Sequence, residues 1–288
     1  MGQQLARGAD TFAAASWSGA GFGASAELEI SVEFARITGG LDQSGSSIAS
    51  LDINPTAKGL IGGPDAGPLI LNANATANSR VRNAGRVDAY LQADTKVEHI
   101  HNGHPQARSR LLGGEFETGS ISAGRLTATG STVIDEFYGL GGKSHLAYGA
   151  SAGALTFMEL VNGHHALERR ADLIIVGQGA TLDLDPDAAV DWAADVGEGI
   201  PDAEILIYGG TVIWRDGILP KIKALGGVID FRYARGPMSG LGSTSFELIG
   251  TQVYEHPDVD LSNAVTPPAI FRTTSGGTQV GGFTPAPS

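Results

Sequence analysis

Cysteine is absent from this 288-residue chain, which excludes disulfide bonds and thiolate metal sites. Charged residues form only 17% of the sequence and aromatic residues 7%, and the net charge is −12. No cluster of basic residues is visible along the sequence, so neither a nucleic acid nor an anionic membrane is expected as a partner. Because so little charge is available to solvate a monomer, we expect other chains to cover much of the surface.

Long apolar runs are absent as well. No stretch approaches the roughly 20 apolar residues that are needed to span a bilayer. The N-terminal sequence MGQQLARGADTFAAASWSGAG has no apolar core of the kind found in secretory signals. These features predict synthesis in the cytoplasm without an export signal.

Glycine, in contrast, is abundant, with 42 residues, and it recurs inside a short repeat. The repeat reads ILIYGGTVIW at 205–214, IKALGGVIDF at 222–231 and FELIGTQVY at 246–254, with apolar alternation on both sides of the glycine. Each copy is too short to bury its own apolar face, so the copies must stack on one another. The sequence therefore predicts an all-β fold, a parallel β-helix (β-solenoid), which we expect to be right-handed.

Aligned copies predict three vertical columns of like residues. The expected columns are Ile205, Ile222 and Phe246; Gly209, Gly226 and Gly250; and Trp214, Phe231 and Tyr254. Glycine suits the corner of each coil because a sharp reversal of a strand requires a positive φ or a bulge. Weaker copies extend the pattern toward the N-terminus in coils of about 20 residues. The predicted corners are Gly113, Gly141, Gly163, Gly179, Gly209, Gly210, Gly226, Gly227 and Gly250.

Four regions follow from these patterns. Residues 1–24 form an arm with little core of its own, and residues 25–85 are expected to form a small antiparallel β unit that caps the stack. Residues 86–262 form the solenoid, interrupted by one short helix at 186–194. The tail, residues 263–288, is rich in Pro, Gly, Ser and Thr and is expected to be extended and unable to stack further.

Two groups of side chains are candidates for chemistry. His99 and His101 alternate on a probable strand, so both imidazoles face one way and could bind a metal ion at a threefold axis, although polar decoration of a wet face is the favoured interpretation. His164 and His165 point to opposite faces and are assigned to a surface or turn. No cofactor is expected.

The second group consists of acids. Asp183, Asp185 and Asp187 begin like a calcium loop, but Ala188 and Ala194 occupy the positions that need glycine and glutamate. Two acids could instead serve as a glycosidase pair, from the set Asp183, Asp185, Asp187, Asp191, Asp195 and Glu198. A solvated loop is the favoured interpretation. The segment GLGGKS at 139–144 lacks the spacing of a phosphate loop, since Phe137 stands where glycine is required, and it is predicted to be a solenoid corner.

The sequence also resembles a known group of proteins. The block ITGGLDQSGSSIASLDINPTAKGLIGG at 37–63, followed by RLLGG at Arg110 and then the YGGTV repeats, resembles a group of largely uncharacterised β-solenoid proteins encoded by bacteriophages. Those proteins look like structural components of the virion. The resemblance implies a non-enzymatic capsid decoration protein or head fibre, located in the virion and docked through its termini on the major capsid protein or another virion protein. It implies no catalytic residues.

Assembly as a homotrimer is expected, because three shafts side by side would stabilise tails that lack a core; a monomeric or dimeric shaft remains open. Two other functions are also open. One is a tail spike that cleaves host surface polysaccharide, and the other is a fibre that binds a host surface glycan without cleaving it.

Overall fold

A computed structural model describes residues 16–18, 26–30, 35–38, 48–53, 55, 58–61, 68–71, 80–147, 155–168, 171–185, 203–215, 221–235, 246–254, 256 and 271–273. Within these residues there are 23 β-strands and no helix. The chain divides into two compact units, Met1–Gly153 and Ala154–Ser288, and each is described by itself.

The first unit contains fourteen strands. They are β1 (Ser16–Ser18), β2 (Ala26–Ile30), β3 (Ala35–Thr38), β4 (Ile48–Ile53), β5 (Lys58–Ile61), β6 (Leu69–Leu71), β7 (Arg80–Asn83), β8 (Arg86–Ala93), β9 (Val97–Asn102), β10 (Arg108–Leu111), β11 (Gly114–Ile121), β12 (Arg125–Ala128), β13 (Thr132–Gly139) and β14 (Lys143–Leu146).

Strands of the first unit stack in two main parallel columns. One column runs β1, β3, β5, β8, β10, β12, β14, and the other runs β2, β4, β7, β9, β11, β13. Strand β6 pairs in parallel with the start of β4 and the end of β8. The register advances by 20, 17 and 18 residues from Asp88 to Arg108, Arg125 and Lys143, which is the coil length predicted from the glycine repeats.

Alternation of side chains builds the core of each coil. In β8, Val87, Ala89, Leu91 and Ala93 are buried, while the residues between them face outward. Successive side chains of a strand point to opposite faces of a sheet, so each coil turns every second residue inward and stacks it on its neighbours. The predicted parallel β-solenoid is therefore confirmed.

The prediction of an antiparallel cap at 25–85 is wrong. Strands β2 to β5 pair in parallel, in the same two columns as the strands that follow them. The same region also contains β5, and the predicted arm contains β1, which pairs with β3. Alternation in the sequence shows that one face of a strand is buried, but it carries no information on strand direction, and for this reason the inference failed.

Two buried asparagines line a corner of the first unit. Asn83 and Asn102 lie in register on adjacent coils, and neither side chain is exposed. The Asn102 Nδ2 group donates hydrogen bonds to three backbone carbonyl oxygens, and Ser109 Oγ donates to Asn102 Oδ1 at 2.9 Å. These carbonyl oxygens belong to Ala107 (3.3 Å), Ala123 (3.0 Å) and Arg125 (3.3 Å). The amide thus ties the corners of two successive coils together.

The second unit contains nine strands. They are β15 (Leu155–Leu167), β16 (Ala171–Leu184), β17 (Glu204–Tyr208), β18 (Thr211–Trp214), β19 (Lys221–Leu225), β20 (Val228–Asp230), β21 (Phe246–Ile249), β22 (Gln252–Tyr254) and β23 (Phe271–Thr273).

The second unit has the same plan as the first. Strands β15 and β16 each span two sides of a coil, so that the first half of β16 pairs with β17 and its second half with β18. The two columns continue in parallel through β19 and β21 on one side and through β20, β22 and β23 on the other. Because β23 adds a further rung beyond residue 262, the prediction of a tail that cannot stack is wrong. The helix predicted at 186–194 lies outside the described residues.

Candidate functional site

The predicted corner glycines lie where the chain changes direction. Gly113 and Gly141 separate consecutive strands of the first unit, and the pairs Gly209–Gly210 and Gly226–Gly227 and the single Gly250 do the same in the second. Gly163 and Gly179 lie inside β15 and β16, beside a register shift that follows Leu160. The Gly163 φ of 101° indicates that the long strand bends there.

Register confirms two of the three predicted columns. Ile205, Ile222 and Phe246 pair directly on successive coils, and this register stacks Gly209, Gly226 and Gly250. In the third column Trp214 and Phe231 stack inside the core, at 0% and 1% exposure.

Tyr254 does not belong to that third column. It pairs with Asp230 and is only partly buried. Its ring lies under the guanidinium of Arg232, with 4.1 Å from Arg232 Cζ to the ring centroid, and Arg232 also binds the Asp230 carboxylate through Nε and Nη2 at 2.9 and 2.7 Å. This ion pair raises the pKa of Arg232. The cluster holds an outward face of the coil together.

The structure brings His99 and His101 to the outer face of β9, as predicted. His101 is half-buried, with Nδ1 2.8 Å from Ser120 Oγ and Nε2 3.3 Å from Ser122 Oγ. Burial and the nearby Arg82 lower the pKa of His101. Both ring nitrogens are engaged by hydroxyl groups, which favours the polar-decoration interpretation, and the described residues contain no group of three or more His, Cys, Asp or Glu that could hold a metal ion.

The neighbouring histidines and acids also have structural partners. His165 is fully buried rather than on the surface, because the bend at Gly163 turns it inward, and its Nε2 lies 2.8 Å from the carbonyl oxygen of Asn162. Burial lowers the pKa of His165. Asp183 binds Arg215 through two hydrogen bonds of 2.6 and 2.9 Å, and Asp185 pairs with Arg235. Asp187 lies outside the described residues.

A row of exposed apolar side chains follows one corner of the second unit. Tyr208, Leu225 and Ile249 stack on successive coils, each directly before a corner glycine, with exposures of 50%, 45% and 53%. Tyr208 pairs in register with Gly177 on the preceding coil. One coil further back, Val161 lies beside Gly177 and is 47% exposed. We call Val161, Tyr208, Leu225 and Ile249 the corner stripe. Tyr208, Leu225 and Ile249 are contiguous, whereas the coil that carries Gly177 separates Val161 from Tyr208. Exposed apolar patches are typical of protein interfaces.

A row of cations follows one column of the first unit. Arg108, Arg125 and Lys143 pair directly on successive coils, about 4.8 Å apart, and all three are exposed. None of them forms an ion pair with another described residue, whereas the neighbouring Arg110 binds Asp88 at 3.0 Å and lies over the ring of Tyr90. We call Arg108, Arg125 and Lys143 the cation ladder.

The cation ladder corrects the inference that basic residues do not cluster. Its members are 17 and 18 residues apart in sequence, so no basic run is visible there, and only the coil length places them side by side. Like charges on directly opposed positions destabilise a sheet. At the start of the row Arg108 pairs in register with Asp88, an acid, whereas Arg125 has a cation on the coils before and after it.

No protein-family model matches the sequence, and neither a curated protein nor a solved structure shows significant similarity to it. Among the residues that the structure describes, no helix is long and apolar enough to span a membrane.

Proposed function

We propose that this chain is a non-enzymatic structural protein of a bacteriophage particle, a capsid-attached decoration protein or head fibre that assembles as a homotrimer in the virion. The sequence resemblance at residues 37–63 supports the assignment to a phage particle. The solenoid supports a structural role, because its hydrogen-bonded coils form a rigid support without a moving part. Docking on the capsid through the chain termini belongs to the same proposal.

The corner stripe is the observation that carries the proposal of assembly. Its four side chains are each about half exposed, and three of them, Tyr208, Leu225 and Ile249, lie in one continuous row. Water contact with such a row is unfavourable, at about 25 cal/mol per Å² of apolar surface. The stripe is only one residue wide, so it cannot form a large flat interface with a single partner. Three such stripes can meet around a threefold axis and bury one another.

The alternative functions draw less support from the described residues. A glycosidase needs one carboxyl group that can hold a proton and one free carboxylate. Asp183 and Asp185 are both ion-paired with arginines, and the other candidate acids, Asp187, Asp191, Asp195 and Glu198, lie outside the described residues. A glycan-binding surface needs an open aromatic face. Arg232 covers a face of Tyr254, and the exposed Tyr208 belongs to the corner stripe, which the proposed trimer would bury.

Removal of the corner stripe tests the assembly. We expect the wild-type chain to show three times its 29.6 kDa mass by light scattering, and we expect a chain with Tyr208→Ser, Leu225→Ser and Ile249→Ser to show the monomer mass. These side chains lie outside the core, so the melting temperature measured for the monomeric unit should change little. The matched control, Leu140→Ser with Tyr233→Ser, removes two equally exposed side chains outside the stripe and should leave the trimer intact.

A monomeric wild-type chain, or a stripe variant that stays trimeric, would contradict the proposed assembly.

The virion assignment has a separate test. Particles produced from the genome that encodes this chain are purified on a density gradient, and their proteins are identified by mass spectrometry. We expect the chain in the particle band in a fixed ratio to the major capsid protein. Recovery of the chain only from the soluble fraction would contradict the assignment.

A further inference from the structure

The first unit carries a surface with the opposite charge to the cation ladder. Glu98, Glu117 and Asp135 occupy equivalent positions of β9, β11 and β13, since Val97, Phe116 and Ile134 pair in register immediately before them. On each of these strands two consecutive residues face outward before the buried alternation resumes. The acids therefore project from a bend in the coil. Glu115 lies on the same side of β11 as Glu117 and is also exposed.

Lys96 lies among these acids. Lys96 forms an ion pair with Asp135, and its pKa is raised by the hydrogen bond to Asp135 and by the charges of Asp135, Glu117 and Glu115. We call Glu98, Glu115, Glu117, Asp135 and Lys96 the acidic corner. The acidic corner contains four carboxylates and one ammonium group, so its charge is opposite in sign to that of the cation ladder.

From these observations we propose that the cation ladder of one copy docks on the acidic corner of a second copy of this chain. The two surfaces have the same axial spacing, because both are built on the same successive coils, one strand spacing apart. Two copies with their stacking axes side by side can therefore match charges coil by coil. Both surfaces lie in the first unit, so a chain presents one of each to its neighbours.

This interface would be one of the contacts that hold the proposed homotrimer together, and the inference rests on the self-association proposed above. The two contacting surfaces differ, so the contact is heterologous, and it generates either a closed ring or an open filament. A closed ring of three uses every cation ladder and every acidic corner once. The corner stripe and the charged surfaces are separate features in separate units, so each can be removed without altering the other.

A second copy fits these surfaces better than a nucleic acid does. Single-stranded nucleic acids bind to positive grooves that also offer aromatic platforms for the bases. Tyr90 pairs in register with Arg110, which covers its ring, with 4.4 Å from Arg110 Cζ to the ring centroid. The complementary charge that the ladder requires is already present on the same chain, at the same spacing.

Charge reversal on each side, and on both together, tests the inference. The ladder variant carries Arg108→Glu and Arg125→Glu, which changes its surface from three positive charges to one net negative charge. The corner variant carries Glu115→Lys and Glu117→Lys, which replaces two of its four carboxylates by ammonium groups and makes its cations outnumber its acids. Because each variant opposes like charges at the contact, we expect the dissociation constant measured by analytical ultracentrifugation to rise about 100-fold or more in either one.

A chain with all four substitutions restores opposite charges, and we expect its self-association to return to within about tenfold of the wild-type constant. The control variant, Lys221→Glu with Lys223→Glu, changes the net charge equally in the second unit and should associate like the wild type. Should a variant fail to fold, the wild-type chain is measured in about 1 M NaCl, where the screening length falls to about 3 Å and association should weaken.

Three results would overturn the inference. The first is a ladder variant that associates like the wild type, and the second is a four-substitution chain that stays dissociated although it is folded. The third concerns binding to heparin or to single-stranded DNA. If the ladder variant loses this binding while its self-association is unchanged, the partner of the ladder is a linear polyanion. If the stripe variant dissociates while the ladder variant stays trimeric, the inference fails and the proposed homotrimer stands.

Discussion

Replacement of Gly227 by alanine is expected to destabilise the second unit by about 2–5 kcal/mol, the sum of two separate effects. The Gly227 φ is 85°, a conformation that costs a residue with a side chain about 1–2 kcal/mol. In addition, a Cβ atom at this position would lie 2.3 Å from the carbonyl oxygen of Gly210 on the neighbouring coil. Relief of that overlap must separate two hydrogen-bonded coils, and overpacking of this kind costs about 1–3 kcal/mol.

Gly250→Ala is the matched control for the overlap between the added Cβ atom and the neighbouring coil. The Gly250 φ is 63°, so the backbone strain is of the same kind, but no atom lies within 4 Å of its added Cβ. We expect a loss of about 1–2 kcal/mol there. Urea denaturation of both variants gives the two free energies of unfolding. Equal losses at Gly227 and Gly250 would show that the coils are not in close contact at this corner.

Replacement of Asn102 by leucine is the second change with a large expected effect, a loss of about 3 kcal/mol or more from the stability of the first unit. The substitution keeps the size of the side chain but removes three donated hydrogen bonds and the one accepted from Ser109. Each such bond contributes about 0.5–1.5 kcal/mol, and a buried polar group left without a partner loses more. We expect a lower midpoint of urea denaturation with an unchanged slope.

The same substitution at Asn162 is the control. Asn162 is exposed, and its Oδ1 accepts one hydrogen bond, from the amide of Gly163 at 2.8 Å. We expect Asn162→Leu to change the free energy of unfolding by about 1 kcal/mol or less. A stability loss at Asn102 no greater than at Asn162 would contradict the assigned role of the buried amide in joining successive corners.

Much of the fold could be predicted from the sequence because its core is built from a short repeat. The residues around Gly209 and Gly226 are equally long copies, so a simple alignment places Ile205 on Ile222 as the structure does. The third copy has one glycine where the first two have a pair, and Thr251 takes the position of Gly227. An alignment that matches aromatic residues by type is therefore one residue out of register at Tyr254, which pairs with Asp230.

The surfaces were harder to predict because they depend on the coil length and not on local sequence. Arg108, Arg125 and Lys143 are separated by 17 and 18 residues, and they become neighbours only after the chain has wound once around the core. The corner stripe could have been found from the repeats, since Tyr208 and Leu225 each precede the first glycine of their corner. In the N-terminal region, the sequence contained no signal that distinguishes parallel from antiparallel pairing of the strands.

Parallel in-register stacking of successive coils underlies every surface described above, and the absence of cysteine allows this stacking to be measured directly. Leu206 and Lys223 pair in register and face outward, so cysteines at both positions should have Cα atoms close enough for a disulfide bond. Cysteines at Leu206 and Leu225 would lie two residues out of register. Under mild oxidation we expect a rapid, nearly complete cross-link for the first pair and none for the second; a cross-link that forms only in the second pair would contradict the stacked solenoid.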